Sequence, residues 1–203
     1  MIELVVATKN KKKLEEIKEI LKDIDLKIKS ILDLDKSPRI IENGQTFKDN
    51  AIKKAVKIAH FTKELSLGED SGLCVEKLKG MPGVYSSRFS GKNKSDRQNN
   101  LKLLDCLENV PLRKRKAYYV CAVALADKDG LLGVVEGRCR GLIGFKLRGT
   151  HGFGYDPLFI VPKYNKTFGQ LSESLKHKLS HRFYALKKAK KIIQKYIVNQ
   201  EAN

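Results

Sequence analysis

At 203 residues the chain can build one domain, or two lobes sharing a sheet, around a substantial core. Hydrophobic residues at 41% and charged residues at 32% exclude a disordered chain, and no apolar run approaches the roughly 18 to 20 residues of a membrane span. Its 41 basic and 23 acidic residues leave a net charge of +18, which draws phosphates to the surface without by itself naming a partner.

Ile2 to Ala7 is a compact apolar run that predicts a buried strand; with no basic leader, it is not expected to be a signal peptide. Thr8-Lys9-Asn10-Lys11-Lys12-Lys13 then turns into a helix with Leu14, Ile17, Leu21 and Ile24 on one face. Such a junction aims helix N–H groups at an anion. The Walker pattern is absent, and an ordinary capped turn with solvated lysines is the competing reading. Leu26 to Ile31, with charges at alternating positions, predicts an edge strand. Glu42 lies in the polar loop 33–45, and Thr46 with Asp49 fits a capping box. The helix it opens carries Phe47, Ile52, Ala55, Val56 and Ala59 on its apolar side.

Gly68-Glu69-Asp70-Ser71-Gly72 follows the apolar run Leu65 to Leu67 and reads as a strand end opening into a glycine-flanked acidic turn. Adjacent carboxylates repel unless a cation or a shared proton lies between them, so the stretch suits a corner that holds a metal and activates water. A solvated acidic turn is the alternative. Leu73 to Leu78 is then a returning strand, Gly80 to Gly83 a turn, and Ser95 to Leu107 a helix capped by Ser95. Ala117 to Ala126 and Leu131 to Arg138, joined at Asp127-Lys128-Asp129-Gly130, predict a hairpin. The glycine-rich loop 149–157 carries Phe153 and Tyr155, rings on which a planar base could stack. It leads into a strand, not a helix, and so fails the dinucleotide fingerprint. Ser172 to Leu179 predicts a short helix. Ser180-His181-Arg182 opens the last one, where Arg182 supplies donors and no acceptor.

Cys74, Cys106, Cys121 and Cys139 never form C-x-x-C and predict buried, reduced thiols in a cytoplasmic protein. His177 and His181 lack a third ligand for zinc. The excess charge reads as lysine spread along the helices, and the 7% aromatic content is low for a single-strand binder. Nucleic acid is therefore not expected as the primary partner.

Seven motifs in order resemble the inosine triphosphatase, or non-canonical purine NTP pyrophosphatase (XTP/dITP diphosphatase), family. They are Thr8-x-Asn10-x-x-Lys13, Glu42 ahead of Thr46-Phe47, Asn50-Ala51, Glu69-Asp70-Ser71-Gly72-Leu73, Pro82-Gly83-x-Tyr85-Ser86, Gly152-Phe153-Gly154-Tyr155-Asp156-Pro157 and Ser180-His181-Arg182. The resemblance covers residues 1–203 as one domain. It implies an α/β fold with a long, mixed, twisted sheet flanked by helices, in two lobes with a central nucleotide cleft. It also implies a homodimer, dependence on Mg²⁺, and hydrolysis of ITP, dITP and XTP to the monophosphate and pyrophosphate. By the same resemblance Thr8, Lys9, Asn10, Lys11, Lys12 and Lys13 meet the phosphates. Glu42 and Asp70, with Glu69 as a further acid, hold the metal. Asp70 is the catalytic base, Ser71 touches the nucleotide, and Phe153, Gly154, Tyr155, Asp156, Lys176, His181 and Arg182 form the base pocket. Two departures from the pattern stand out: Lys9 where the family often has Gly, and Glu69 where many members have Asp. A pyrophosphatase for other modified nucleotides and a basic nucleic-acid-binding module without catalysis remain the alternatives.

Overall fold

The computed structural model describes residues 2–91 and 95–201. Strand β1 (Ile2–Val6) leads into helix α1 (Lys11–Leu21), whose start is set by Asn10: its side chain accepts the Lys13 N–H, the usual work of an N-cap Asn. β2 (Leu26–Ser30) pairs in parallel with β1 and forms an edge of the sheet, as its alternating charges predict. Helix α2 (Phe47–Thr62) opens with a reciprocal capping box between Thr46 and Asp49.

The stretch 68–72 is not a turn. β3 runs unbroken from Leu65 to Val75 and lies parallel to β1, with Leu4 opposite Leu65 and Val6 opposite Leu67. Gly68 is required by packing, since a Cβ there would lie 2.1 Å from the Ala51 carbonyl oxygen and 2.5 Å from the Ala55 nitrogen of α2. Helix α2 therefore rests directly on the strand backbone. The sequence signal of small residues around two acids was real, but its cause was helix-on-sheet contact.

β4 (Lys116–Asp127) and β5 (Gly130–Ile143) form the expected hairpin, and the Asp127 carboxylate accepts the N–H groups of Asp129 and Gly130. β6 (Phe159–Val161) pairs antiparallel with β5, and β7 (Lys166–Thr167) antiparallel with β6. The remaining α-helices among the described residues are α3 (Asp96–Cys106), α4 (Glu173–Leu179) and α5 (His181–Glu201); Cys106, at the end of α3, is exposed, unlike the buried thiol expected there. The sheet is mixed, seven-stranded and ordered β2-β1-β3-β4-β5-β6-β7. No helix among the described residues is long and apolar enough to cross a membrane.

The chain divides into two compact units, and β3, β4 and β5 contribute to both. Unit 1 holds residues 1–70, 121–137 and 181–203; unit 2 holds 71–120 and 138–180. In unit 1, Leu4, Ile17, Leu21, Leu67, Val123, Leu186 and Ile193 bring β1, α1, β3, β4 and α5 into one core. In unit 2, the Tyr119, Phe159 and Phe168 rings pack at centroid distances of 4.7 to 6.1 Å inside a second core. The charge is unevenly shared between the units. Unit 2 has 19 basic and 6 acidic residues, or +13, whereas unit 1 has 22 and 17, or +5. The lysine-rich helices α1, α2 and α5 belong to unit 1, where acids largely offset them.

Gly68→Ala should lower stability by about 1 to 3 kcal/mol through overpacking, seen as a lower urea midpoint with an unchanged m-value. A wild-type midpoint would reject the packing account of this glycine.

Candidate active site

The chain leaves β1 to run through α1 to β2 on one flank, and reaches β3 on the other flank only later. β1, β2 and β3 are parallel, so β1 and β3 meet at a topological switch point, where ligands bind beyond the carboxyl ends of strands. Two candidate stretches lie at that end. Thr8 to Lys13 follows β1, and Glu69 and Asp70 follow Leu67, whose carbonyl accepts the Ala7 N–H at 2.8 Å. In the turn, Thr8 Oγ1 accepts the Asn10 N–H at 3.2 Å, and Asn10 Oδ1 accepts the Lys13 N–H at 3.2 Å. Lys9, Asn10, Lys11 and Lys12 are exposed. An exposed helix start among lysines favours an anion.

Glu69 and Asp70 do not share a corner. Successive strand side chains point to opposite faces, and their partners confirm it. Glu69 turns toward α1 and α5: Oε2 meets Lys13 Nζ at 2.8 Å, while Oε1 accepts from Arg182 Nη2 at 3.1 Å and from the Cys121 thiol at 3.3 Å. Arg182 also donates through Nη1 to Glu16 of α1. Its side chain is 1% exposed and that of Glu69 is 0% exposed. The acid and the guanidinium thus form a buried chain, Lys13–Glu69–Arg182–Glu16. The two carboxylates raise the Arg182 pKa further, against the lowering effect of burial. Beside Glu69, the Cys121 thiol is pushed well up by burial.

Asp70 turns toward α2. Its Oδ2 accepts from Asn50 Nδ2 at 2.9 Å, and Asn50 Oδ1 accepts the Gly44 N–H at 2.8 Å, so one amide ties the loop before α2 to the acid. Lys54 Nζ lies 2.6 Å from Glu42 Oε2, 3.1 Å from the Glu69 carbonyl oxygen and 3.7 Å from Asp70 Oδ1. Burial raises the Asp70 pKa; Lys54 and the Asn50 hydrogen bond pull it back, and Glu69 contributes least among the causes. Asn50 and Lys54 carry no functional role in the sequence reading. Their signal was present, since they stand one helical turn apart among Ala51, Ala55 and Ala59, a polar pair on a buried face.

The expected base-binding residues of loop 152–156 lie in unit 2 with Lys176. Asp156 Oδ2 accepts the Phe153 N–H at 2.9 Å and pairs with Lys176 Nζ at 2.7 Å, and that ammonium sits 4.6 Å from the Phe153 ring centroid. Gly152 has φ +80°, and a Cβ there would lie 2.0 Å from Asp156 Oδ2; glycine lets the carboxylate reach across its own loop. The Gly154 N–H donates to Asp96 at 2.7 Å and its carbonyl accepts from Asn100 at 2.8 Å, so α3 holds the loop tip. Tyr155 departs from the expectation of a stacking ring. It is 3% exposed, lies in the core and donates its hydroxyl to the Ser86 carbonyl at 2.8 Å. Ser71 is half-buried on β3 in unit 2, and His181 is buried at the first position of α5 in unit 1.

The Ham1 family model matches residues 4–192. The dITP/XTP pyrophosphatase of Desulforamulus reducens is 48% identical over 200 residues, spanning 98% of this chain and 100% of the relative. That of Shouchella clausii is 44% identical over 194 residues, spanning 96% and 98%. Among solved structures, a HAM1 protein from Coxiella burnetii matches with a TM-score of 0.88 at 36% identity over 96% of this chain and 100% of that one. The Ham1 protein of Staphylococcus aureus gives 0.85 at 37%, over 96% and 99%.

Arg182→Leu should destabilise the protein by about 3 to 5 kcal/mol, because it strands two buried carboxylates. Arg182→Lys, which keeps the charge and loses the fork, should cost less. Chemical unfolding of both variants checks this, and a Leu variant as stable as wild type would refute the buried-pair account.

Proposed function

The chain belongs to the Ham1 family, and on that footing we propose that it hydrolyses the purine nucleoside triphosphates ITP, dITP and XTP to the monophosphate and pyrophosphate. The observation that carries this reading is Asp70: a buried carboxylate at the switch point of a parallel sheet, its pKa raised by burial, held by Asn50 and Lys54 near an anion-favouring helix start. Relatives 41 to 48% identical over nearly the whole chain, named dITP/XTP pyrophosphatases, support the substrate class.

In the reaction water attacks the α-phosphorus. A water-oxygen–phosphorus bond forms, the bond from that phosphorus to the bridging oxygen breaks, and pyrophosphate leaves. Asp70 orients the water and takes its proton, a role that gains from a carboxyl made more basic by burial. Lys13, together with the exposed lysines 9, 11 and 12 and the first N–H groups of α1, offsets the charge that builds on the leaving pyrophosphate. Lys54 keeps Asp70 and Glu42 beside one another.

The acid pair suits Mg²⁺. That ion takes hard oxygen donors, often only one or two protein carboxylates, and leaves its other positions to water and substrate phosphates. Glu42 and Asp70 already accommodate one positive charge, the Lys54 ammonium. They are the residues we assign to the metal; Glu69, on the other face with Lys13 and Arg182, is set apart from them. When bound, the ion would neutralise phosphate charge and acidify a water.

For the base we assign Phe153 to stacking, and Lys176 and His181 to donation toward the 6-oxo group, with Asp156 anchoring Lys176. Adenine has an amino donor at that position and would leave buried donors unpaired, a mismatch worth roughly 10⁴-fold in selectivity. Arg182 contributes by locking Glu69 and hence Lys13. We also propose a cytoplasmic homodimer that clears deaminated purine nucleotides from the pool.

ITP should yield IMP and pyrophosphate, with ATP turned over far more slowly; orthophosphate as the first product would overturn the reading. EDTA should abolish turnover and Mg²⁺ restore it. Asp70→Asn should lower kcat by about 10²- to 10⁴-fold with KM changed little, whereas wild-type turnover in that variant would remove Asp70 from the chemistry.

A further inference from the structure

We infer that Tyr119 is a positioning residue for base recognition, holding Asp156 so that Lys176 is presented in one fixed arrangement; this rests on the assignment of Phe153 and Lys176 to the base. Asp156 is 3% exposed, and the groups that hold it divide between its two oxygens. Oδ2 takes the Phe153 N–H at 2.9 Å and Lys176 Nζ at 2.7 Å, while Oδ1 takes the Tyr119 hydroxyl at 3.3 Å. The hydroxyl thus occupies the oxygen that the two recognition groups do not. A carboxylate turns readily about its terminal torsion, which has broad wells, so a donor on Oδ1 fixes the plane of the carboxylate and with it the direction from which the other oxygen meets Lys176.

The phenol is itself well anchored. Tyr119 lies on β4 inside the unit 2 core, with its ring 4.7 Å from Phe159 and 6.1 Å from Phe168 between centroids. A buried tyrosine hydroxyl needs a partner, and here that partner is the one carboxylate that also holds the loop. Burial and the nearby Asp156 charge push the Tyr119 pKa well up, so the phenol keeps its proton and stays a donor. Its hydrogen bond therefore acts on the base site through Asp156, without Tyr119 touching the nucleotide.

Tyr119→Phe keeps the packed ring and removes only the hydroxyl. KM for ITP should rise by about tenfold, the scale of one lost hydrogen bond to a charged group, with kcat within about twofold. The ratio of kcat/KM for ITP over ATP should fall in parallel. In a Lys176→Met background, Tyr119→Phe should change KM for ITP by less than about twofold, because its effect runs through Lys176. Urea midpoints are read for every variant. A lower midpoint with unchanged KM and unchanged selectivity would make the hydroxyl purely structural and overturn the inference. A full tenfold effect persisting in the Lys176→Met background would overturn it as well. A wild-type enzyme that fails to prefer ITP over ATP would instead sink the base-site assignment, an outcome distinguishable from the other two.

Discussion

Glu69 is buried with its charge, and the organisation of unit 1 follows from that constraint. An isolated carboxylate inside a protein costs several kcal/mol or more unless cations and donors surround it. Lys13, Arg182 and the Cys121 thiol surround this one, and they arrive from α1, α5 and β4. The starts of α1 and α5 are therefore both tied to β3. The Arg182 fork spans two acids, one on the strand and one on α1, which a single lysine could not do with the same geometry.

Because Glu69 occupies one face of β3, Asp70 must occupy the other. The strand separates two arrangements that look like one in the sequence: a buried ion chain that fixes the lysine turn, and a more accessible acid that faces α2, the one we propose for the chemistry. Gly68 belongs to the same arrangement. Without a Cβ it lets α2 approach until Asn50 and Lys54 reach Asp70. Unit 2 repeats the logic with Asp156, a buried acid whose cation, Lys176, is the one we assign to the base.

Much of this was legible in the residues. The caps at Thr46 and Ser95, the Asp-Gly hairpin and the edge strand with alternating lysines all depend on neighbours within a few positions, where local hydrogen bonding decides the conformation. The motif order likewise pointed to the acids, the lysine turn and the glycine-rich loop. Less legible was the direction of each side chain. Tyr155 reads as a stacking ring beside Phe153 and is a core residue. Lys54 reads as one more surface lysine of a basic chain and is 7% exposed beside two acids. Arg182 reads as a donor awaiting a ligand and is engaged by Glu16 and Glu69.

The opposite fates of Glu69 and Asp70 mark the boundary. Composition, capping signals and motif order determined by themselves that this chain is an α/β protein and singled out its two adjacent acids. Which acid is buried with cations and which faces α2 was decided only when α1, α2 and α5 closed over the sheet. Partners such as Glu16 and Arg182, 166 positions apart, or Tyr119 and Asp156, 37 apart, are set by packing and desolvation. No local pattern encodes them, because the cost of leaving a charge unpaired arises only once the core has excluded water.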